Sequence, residues 1–420
     1  MSISEQPIME KAVLVGLNAD VFTKDETATD ETLDELEALL ETAGGQCAAK
    51  ILQNRRTPDP HSFIGEGKVE ELKTLLETTE ATMVVFDNDL SPSQNRALEK
   101  LTGVTVLDRS ALILDIFAQR AKTREGRLQV ELAQYKYLLP RLTGMWTHLE
   151  RQEGAIGTRG PGETQLETDR RLIRQRISRL EEELKEVRRI RAVQRERRIK
   201  NSVPVVAIVG YTNAGKSTLL NRLTDAGIPA NNRLFDTLDT TTRRLTVSDT
   251  LEVLLSDTVG FIAKLPHHLV EAFKATLEEL EYADLLLHVI DAADPNRDEH
   301  IRVVNQLIAQ MASPSVPVIE CYNKADLAMP DELPRGENRL PISAKTGEGT
   351  PALLRCIEQN LSRGLHHTAF LLPYDLGGQV DLLHTQAKVL NADYRPEGIW
   401  IEVICDEALY GRLRPYEQEG

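Results

Sequence analysis

Gly210-Tyr211-Thr212-Asn213-Ala214-Gly215-Lys216-Ser217 stands between a short apolar run, Val205-Val206-Ala207-Ile208-Val209, and a helix-like stretch, Thr218 to Leu223. Strand, glycine-rich loop, then helix is the order in which a chain builds a cradle for phosphate. Gly210 and Gly215 let the backbone curl until its N–H groups point into a common concavity. The helix that follows adds the partial positive charge of its N-terminus. Lys216 can set a point charge on the terminal phosphates, and the Ser217 hydroxyl can ligate Mg2+.

Four further segments supply the parts that such a loop lacks. Asp257-Thr258-Val259-Gly260 follows the run Leu251 to Leu255, which places it at a strand end. Asp257 can hold Mg2+ through a water, and the Gly260 N–H can sense a γ-phosphate. Asn323-Lys324-Ala325-Asp326 follows a second strand-like run, Val316 to Tyr322. The Asp326 carboxylate can accept from both the guanine ring N–H and its exocyclic amine, whereas adenine would leave that carboxylate unpaired. Ser343-Ala344-Lys345 can support the base through backbone N–H groups. Between the loop and Asp257 lies Phe235-Asp236-Thr237-Leu238-Asp239, continuing through Thr240-Thr241-Thr242-Arg243, a polar, threonine-rich segment with the character of a switch loop. In this order, each at a strand end, the segments predict a domain that binds GTP/GDP with Mg2+.

The whole chain bounds the alternatives. Its 420 residues suggest about two to four domains. With 41% hydrophobic residues the composition is that of a globular protein, and no apolar run reaches membrane-spanning length. The Met-Ser-Ile-Ser-Glu start lacks the basic and apolar pattern of a signal peptide. A cytoplasmic protein without an integral membrane segment is therefore expected, with association of part of it at a membrane surface left open. Four scattered cysteines, Cys47, Cys321, Cys356 and Cys405, suggest neither a zinc knuckle nor a disulfide framework. The net charge of −15 argues against a general polyanion binder such as a DNA-coating protein, so any nucleic-acid contact needs a local basic surface.

Residues 1–110 read as a small α/β domain. Ala12 to Leu17, Met83 to Phe86 and Val104 to Leu107 are strand-like, and Glu31 to Thr42, Val69 to Leu76 and Ser93 to Leu101 are helix-like. Within it, Ile64-Gly65-Glu66-Gly67-Lys68 reads as a turn before a helix, with a second nucleotide site as the alternative. Asp87-Asn88-Asp89 could pass for an acidic metal cluster; helix capping by Ser91 or Ser93 around Pro92 is the simpler reading.

Residues 111–202 turn helical. Leu128, Leu132, Tyr135, Leu139 and Leu142 recur at heptad spacing, as do Ile173, Ile177, Leu180, Leu184 and Val187. Two matched stripes predict a long antiparallel helical hairpin. Its tip would be the glycine-rich segment from Gly154 to Arg171, exposed and suited to probing folded RNA. From Arg170 to Lys200 there are 13 Lys/Arg against 5 Glu, a local +8 in a chain of −15. A solvated helix face explains many such runs; here the local sign opposes the global one, which points to phosphate-backbone binding. Residues 203–365 form the nucleotide domain, in which Leu285 to Ile290 is a buried strand carrying a core histidine, His288. Residues 366–420 read as a small C-terminal α/β domain.

Gly157-Thr158-Arg159-Gly160-Pro161-Gly162-Glu163-Thr164-Gln165-Leu166-Glu167-Thr168-Asp169-Arg170-Arg171, followed by the Gly210 loop, Thr237-Leu238-Asp239 and Asp257-Thr258-Val259-Gly260-Phe261-Ile262, resembles the HflX family of ribosome-associated GTPases. The resemblance covers essentially the whole chain. It implies four parts: an N-terminal α/β domain, a helical hairpin, a central P-loop GTPase domain and a small C-terminal domain. It also implies binding to the large (50S) ribosomal subunit and its rRNA, with the hairpin tip near the peptidyl-transferase region, and splitting or rescue of stalled ribosomes under stress. It places a Mg2+ ligand at Thr237 beside Ser217, guanine recognition at Asn323 and Asp326, and catalytic roles at Lys216, Thr237 and Gly260. Two positions depart from the family pattern: Asp236 stands where a small residue is expected, and Thr240 where proline is expected. Phe261 stands where many GTPases carry a water-positioning glutamine, so slow intrinsic hydrolysis is expected, with a partner completing the site. The protein is expected to act as a monomer.

Overall fold

The computed structural model describes residues 10–24, 26–142, 161–200, 203–224, 227, 234–235, 241–248, 251–265, 280–329, 333–362 and 365–418. They belong to two compact units. The first comprises 1–187 together with 229–240 and 259–277, and the second comprises 188–228, 241–258 and 278–420.

The N-terminal part of the first unit is a four-stranded parallel sheet of order β2-β1-β3-β4, built from β1 (Lys11–Ala19), β2 (Gln46–Arg55), β3 (Met83–Phe86) and β4 (Thr105–Asp108). Helices α1 (Asp30–Ala43), α2 (Glu66–Thr79) and α3 (Pro92–Thr102) make the crossovers. Their apolar stripes bury Leu33, Leu36 and Leu39 on α1 and Leu72 and Leu76 on α2. Capping is explicit in the residues. The Ser91 hydroxyl accepts the Gln94 N–H with Pro92 in the first turn, and Thr29 and Thr32 form a reciprocal capping box; each such cap contributes about 1 kcal/mol. Gly65 is the N-cap of α2, a turn before a helix. The sequence reading leaves β2 unassigned. It is an edge strand whose Gln46, Lys50, Gln53 and Arg55 break the apolar alternation that marks strands with a buried face.

Helix α4 (Arg109–Arg120) follows β4 directly, capped by Asp108, and α5 (Arg124–Leu138) is capped by Thr123. The expected single helical stretch from Ala111 is thus two helices, broken at 121–123. Leu128 and Leu132 of α5 pack with Leu180 and Leu184 of α6 (Pro161–Lys200), the pairing that the two heptad stripes predict. The loop expected to run to Arg171 is shorter: α6 already begins at Pro161, where proline suits a first turn and Glu163, Gln165, Leu166 and Glu167 favour helix. The rest of the expected tip, Gly154 to Gly160, lies outside the described residues. Among those described, no helix is long and apolar enough to cross a membrane.

In the second unit a six-stranded sheet runs β10-β9-β8-β5-β7-β6. Its strands are β5 (Val205–Gly210), β6 (Thr241–Thr246), β7 (Glu252–Asp257), β8 (Leu285–Asp291), β9 (Val318–Asn323) and β10 (Arg339–Pro341). All pairs are parallel except β6 with β7. Thr241, Thr242 and Arg243, expected in a switch loop, therefore belong to an edge strand. Helices α7 (Lys216–Thr224), α8 (Arg297–Met311) and α9 (Thr350–Leu361) complete this layer. The core is Val206, Ile208, Leu219, Leu255, Leu287 and Ile357, all fully buried.

The C-terminal part is an antiparallel sheet of order β12-β13-β11-β14, from β11 (Leu365–Leu372), β12 (Lys388–Arg395), β13 (Gly398–Asp406) and β14 (Glu417–Gln418), with α10 (Gly377–Gln386) and α11 (Glu407–Leu413). Phe370, Leu372, Leu383, Ile401 and Val403 form its core.

Candidate nucleotide-binding site

The loop after β5 is held in its curl by two contacts that only glycine permits. Gly210 has φ +156, and a Cβ there would drive into the Val289 carbonyl of β8. Gly215 has φ +96, and a Cβ there would strike the Asn323 side-chain amide. Asn213 takes a left-handed φ of 60°, which asparagine tolerates best among residues with a Cβ. Lys216, the first residue of α7, is 6% exposed, and its Nζ donates to the Tyr211 carbonyl at 2.7 Å. Burial brings its pKa down to about 8, with the Asp257 carboxylate acting in the opposite direction. The Thr212 hydroxyl is buried with no hydrogen-bond partner among the described residues, a donor and acceptor at the loop's centre that an anion can satisfy.

Asp257 ends β7 and is fully buried. The Ser217 hydroxyl donates to its Oδ2 at 2.8 Å. A hydroxyl and a carboxylate in contact are hard oxygen donors of the kind Mg2+ takes, so these residues fit the ion that the sequence implies. Thr258 donates from its hydroxyl to the Ile208 carbonyl at 2.7 Å, tying the end of β7 to β5.

Asn323 is the bridge of the site. It is 2% exposed; its Nδ2 donates to the Ala214 carbonyl at 2.8 Å and its Oδ1 accepts the Ala344 N–H at 2.9 Å. One side chain thereby fixes the phosphate loop against the Ser343-Ala344-Lys345 turn. Lys324 is left-handed (φ 62°) with its ammonium on Asp291 Oδ2 at 2.6 Å, and the Ala325 N–H donates to the Ile342 carbonyl at 3.0 Å. These contacts present Asp326 on a short 3-10 turn, exposed to solvent. Ser343 is fully buried, and its hydroxyl accepts the Thr346 N–H at 3.2 Å.

Two supports escaped the sequence reading. Arg222 of α7 donates from Nε to the Ala344 carbonyl at 3.1 Å and from Nη2 to the Lys345 carbonyl, clamping the turn from the phosphate-loop helix. It lay unnoticed in a run read as core helix, where a lone cation between Leu220 and Leu223 was the available signal. His300 of α8 stacks on Tyr211, ring centroids 3.7 Å apart and planes 10° apart, and its Nδ1 lies 3.5 Å from Asp294. No local pattern connects residues so distant in sequence. His288, read as a satisfied core histidine, is buried, but its Nδ1 has no partner among the described residues. Burial, then the Lys216 charge, holds its pKa down at about 4.

The structure thus gathers Gly210 to Ser217, Asp257, Thr258, Asn323 to Asp326 and Ser343 to Lys345 in one compact unit. Phe235, Val259 and Gly260 belong to the other unit, where Phe235, Val259 and Phe261 are buried. Asp236, Thr237, Leu238 and Asp239 lie outside the described residues. Asp87 does not form a metal cluster with its neighbours; among the described residues no group of three or more His, Cys, Asp or Glu side chains could hold a metal.

Three family models match in succession: a GTP-binding GTPase N-terminal region at residues 30–118, a GTP-binding GTPase middle region at 120–198, and a 50S ribosome-binding GTPase at 205–324. GTPase HflX of Caldanaerobacter subterraneus subsp. tengcongensis is 48% identical over 410 residues, covering 97% of this chain and 94% of that protein. GTPase HflX of Escherichia coli is 49% identical over 374 residues, 87% of this chain and 86% of that protein. A GTP-binding protein from the archaeon Sulfolobus solfataricus, solved with GDP, is 24% identical and covers 84% of this chain and 99% of its own, with a TM-score of 0.44. On the near full-length identity to these relatives, the chain belongs to the HflX family of GTPases.

Proposed function

We propose that the protein is a cytoplasmic switch that docks on the large ribosomal subunit through rRNA, couples docking to GTP hydrolysis, and so splits or rescues stalled ribosomes under stress. The observation that carries this reading is the match of residues 205–324 to a 50S ribosome-binding GTPase; the contacts of Asn323 with the Ala214 carbonyl and the Ala344 N–H support it. Lys216 and the loop N–H groups hold the β- and γ-phosphates. Ser217, with Thr237 from the switch segment, would hold Mg2+, which when bound neutralises charge developing between these phosphates. Gly260 senses the γ-phosphate through its N–H. Asn323, Asp326 and the Ser343-Ala344-Lys345 turn select guanine. Phe261 cannot orient water, so basal turnover is low and the docked subunit completes the geometry.

The docking surface is the exposed part of α6. Leu180 and Leu184 face α5, and Arg176 is engaged with Glu131 at 2.7 Å. Arg171 and Arg174 are exposed. Reversing Arg170, Arg171 and Arg174 to glutamate is expected to weaken subunit binding and flatten its salt dependence, with up to about three units lost from the slope. Shortening the tip from Gly157 to Gly162 is expected to abolish subunit separation while basal hydrolysis persists. GTP turnover with and without purified subunits, read beside sedimentation across a salt series, checks both. Turnover that ignores the subunits, or an unchanged salt slope in the charge-reversed variant, would refute the proposal.

Lys216 also gives the cycle a pH signature. Its pKa in the free loop is near 8, so above that pH the amine is largely neutral. Phosphate favours the charged form, so binding draws in a proton there. GDP affinity should fall by up to about tenfold per unit above pH 8. Calorimetry in two buffers of different ionisation heat reads the proton directly; none taken up near pH 9 would sink this account.

A further inference from the structure

In the turn after β10 the backbone donors are engaged one by one. The Ser343 N–H donates to the Glu348 carbonyl at 2.9 Å, and the Ala344 N–H to Asn323 Oδ1 at 2.9 Å. The Thr346 N–H donates to Ser343 Oγ at 3.2 Å, and the Gly347 N–H to the Ser343 carbonyl at 2.8 Å. Between them, the Lys345 N–H has no hydrogen-bond partner among the described residues. A backbone donor left over in an otherwise satisfied turn is available to a ligand.

Arg222 decides where that donor points. It stands less than two turns after Lys216 on α7, and donates from Nε to the Ala344 carbonyl at 3.1 Å and from Nη2 to the Lys345 carbonyl. In a planar trans peptide the carbonyl of one residue and the N–H of the next point in opposite directions. Drawing the Ala344 carbonyl toward α7 therefore turns the Lys345 N–H away from that helix. Drawing the Lys345 carbonyl the same way turns the Thr346 N–H onto Ser343 Oγ, as observed. Two donors on one rigid guanidinium fork thus set two consecutive peptide planes. The turn is also tied to the segment that presents Asp326, because the Ala325 N–H meets the Ile342 carbonyl at 3.0 Å. All these residues belong to the second compact unit.

We infer that Arg222 is a positioning residue for guanine specificity, holding the Ala344–Lys345 peptide so that the Lys345 N–H meets the 6-oxo group of the base. The inference rests on the reading of Asp326 and this turn as the groups that select guanine. Asp326 takes the ring N–H and the 2-amine of guanine; the 6-oxo group needs a donor, and Lys345 supplies it. Helix α7 then serves both ends of the nucleotide, with Lys216 and Ser217 at its start for the phosphates and Arg222 further along for the base.

The test measures binding of GDP, 6-thio-GDP and IDP to the full chain by calorimetry. Sulfur in place of the 6-oxo group is a weak acceptor and leaves both groups that Asp326 reads, so preference for GDP over 6-thio-GDP reports the turn. IDP keeps the 6-oxo group and lacks the 2-amine, so preference over IDP reports Asp326. Arg222 is exposed, and its loss removes two hydrogen bonds and little packing. Arg222→Ala is expected to lower GDP affinity at least about fivefold and to shrink the preference over 6-thio-GDP by a similar factor, with the preference over IDP kept within about twofold. Arg222→Lys keeps the charge and the alkyl stem without the fork, so its preference should fall between the two; it carries the test if the alanine variant folds poorly. A merely structural arginine would weaken all three ligands together. That outcome, or undiminished preference over 6-thio-GDP in the variants, overturns the inference. The unaltered protein tests the reading beneath it: if GDP is not preferred to 6-thio-GDP there, the turn does not read the base, and both fail. If that preference is present and indifferent to Arg222, only the role of Arg222 is wrong.

Discussion

Lys216→Ala is expected to cut GTP turnover at least about a hundredfold, because one charge contact to a phosphate in a dry site is worth a few kcal/mol in the transition state. The fold should survive. Lys216 sits 6% exposed with its ammonium on one backbone carbonyl, and burial already pulls its pKa to about 8. A desolvated cation of that kind costs stability in the free protein, so its removal relieves the loop rather than breaking it. Ser217→Ala should act in the same direction, since the hydroxyl that meets Asp257 Oδ2 at 2.8 Å is the donor available to Mg2+. Turnover at saturating GTP and Mg2+, read beside a thermal melt, decides it. A Lys216→Ala enzyme within tenfold of the unaltered rate, with an unchanged melt, would remove the lysine from the mechanism.

Asp326→Asn is expected to lower the preference for GTP over XTP by about a hundredfold or more. The carboxylate matches two donors on guanine, and xanthine replaces the exocyclic amine with an oxo group that an amide can serve. The position is suited to the experiment because Asp326 is exposed on a 3-10 turn and carries no packing. Its neighbour is not: Asn323 joins the Ala214 carbonyl to the Ala344 N–H, so substitution there would dismantle the frame and blur the readout. Competition of GTP and XTP for the variant measures the effect. Retained preference for GTP would transfer the guanine contact to another group.

The difference between these two residues shows where sequence reasoning stopped. The tetrapeptide assigned Asp326 to guanine, and the HflX resemblance added Asn323. The described contacts of Asn323 are to the backbone of two other loops, which only the juxtaposition of β5, β9 and the turn after β10 creates. Arg222 and His300 are similar. Each serves the site through a partner far away in the chain, and no spacing rule links an arginine of α7 to the carbonyl of Ala344 or a histidine of α8 to Tyr211. β2 went unassigned for a different reason: an edge strand with polar residues along it lacks the buried alternation that marks a strand.

By itself the sequence determined the phosphate loop, the strand ends that carry its companions, the apolar helix stripes and the HflX likeness, because each is written in local order and period. Residues close in sequence are close in space whatever the fold, so glycine spacing, strand-terminal acids and heptads can be read without coordinates. Only the tertiary structure decided what holds those motifs: Asn323 as a bridge, Arg222 as a clamp, Lys264 on Asp87 after β3, and Phe235 on Phe117 of α4. Asp87 illustrates the limit. On the page it is one of three polar residues before a helix. In the fold it is the buried counter-charge for Arg109 and Lys264, 22 and 177 residues away, and a buried carboxylate takes its meaning from the cation the chain brings to it.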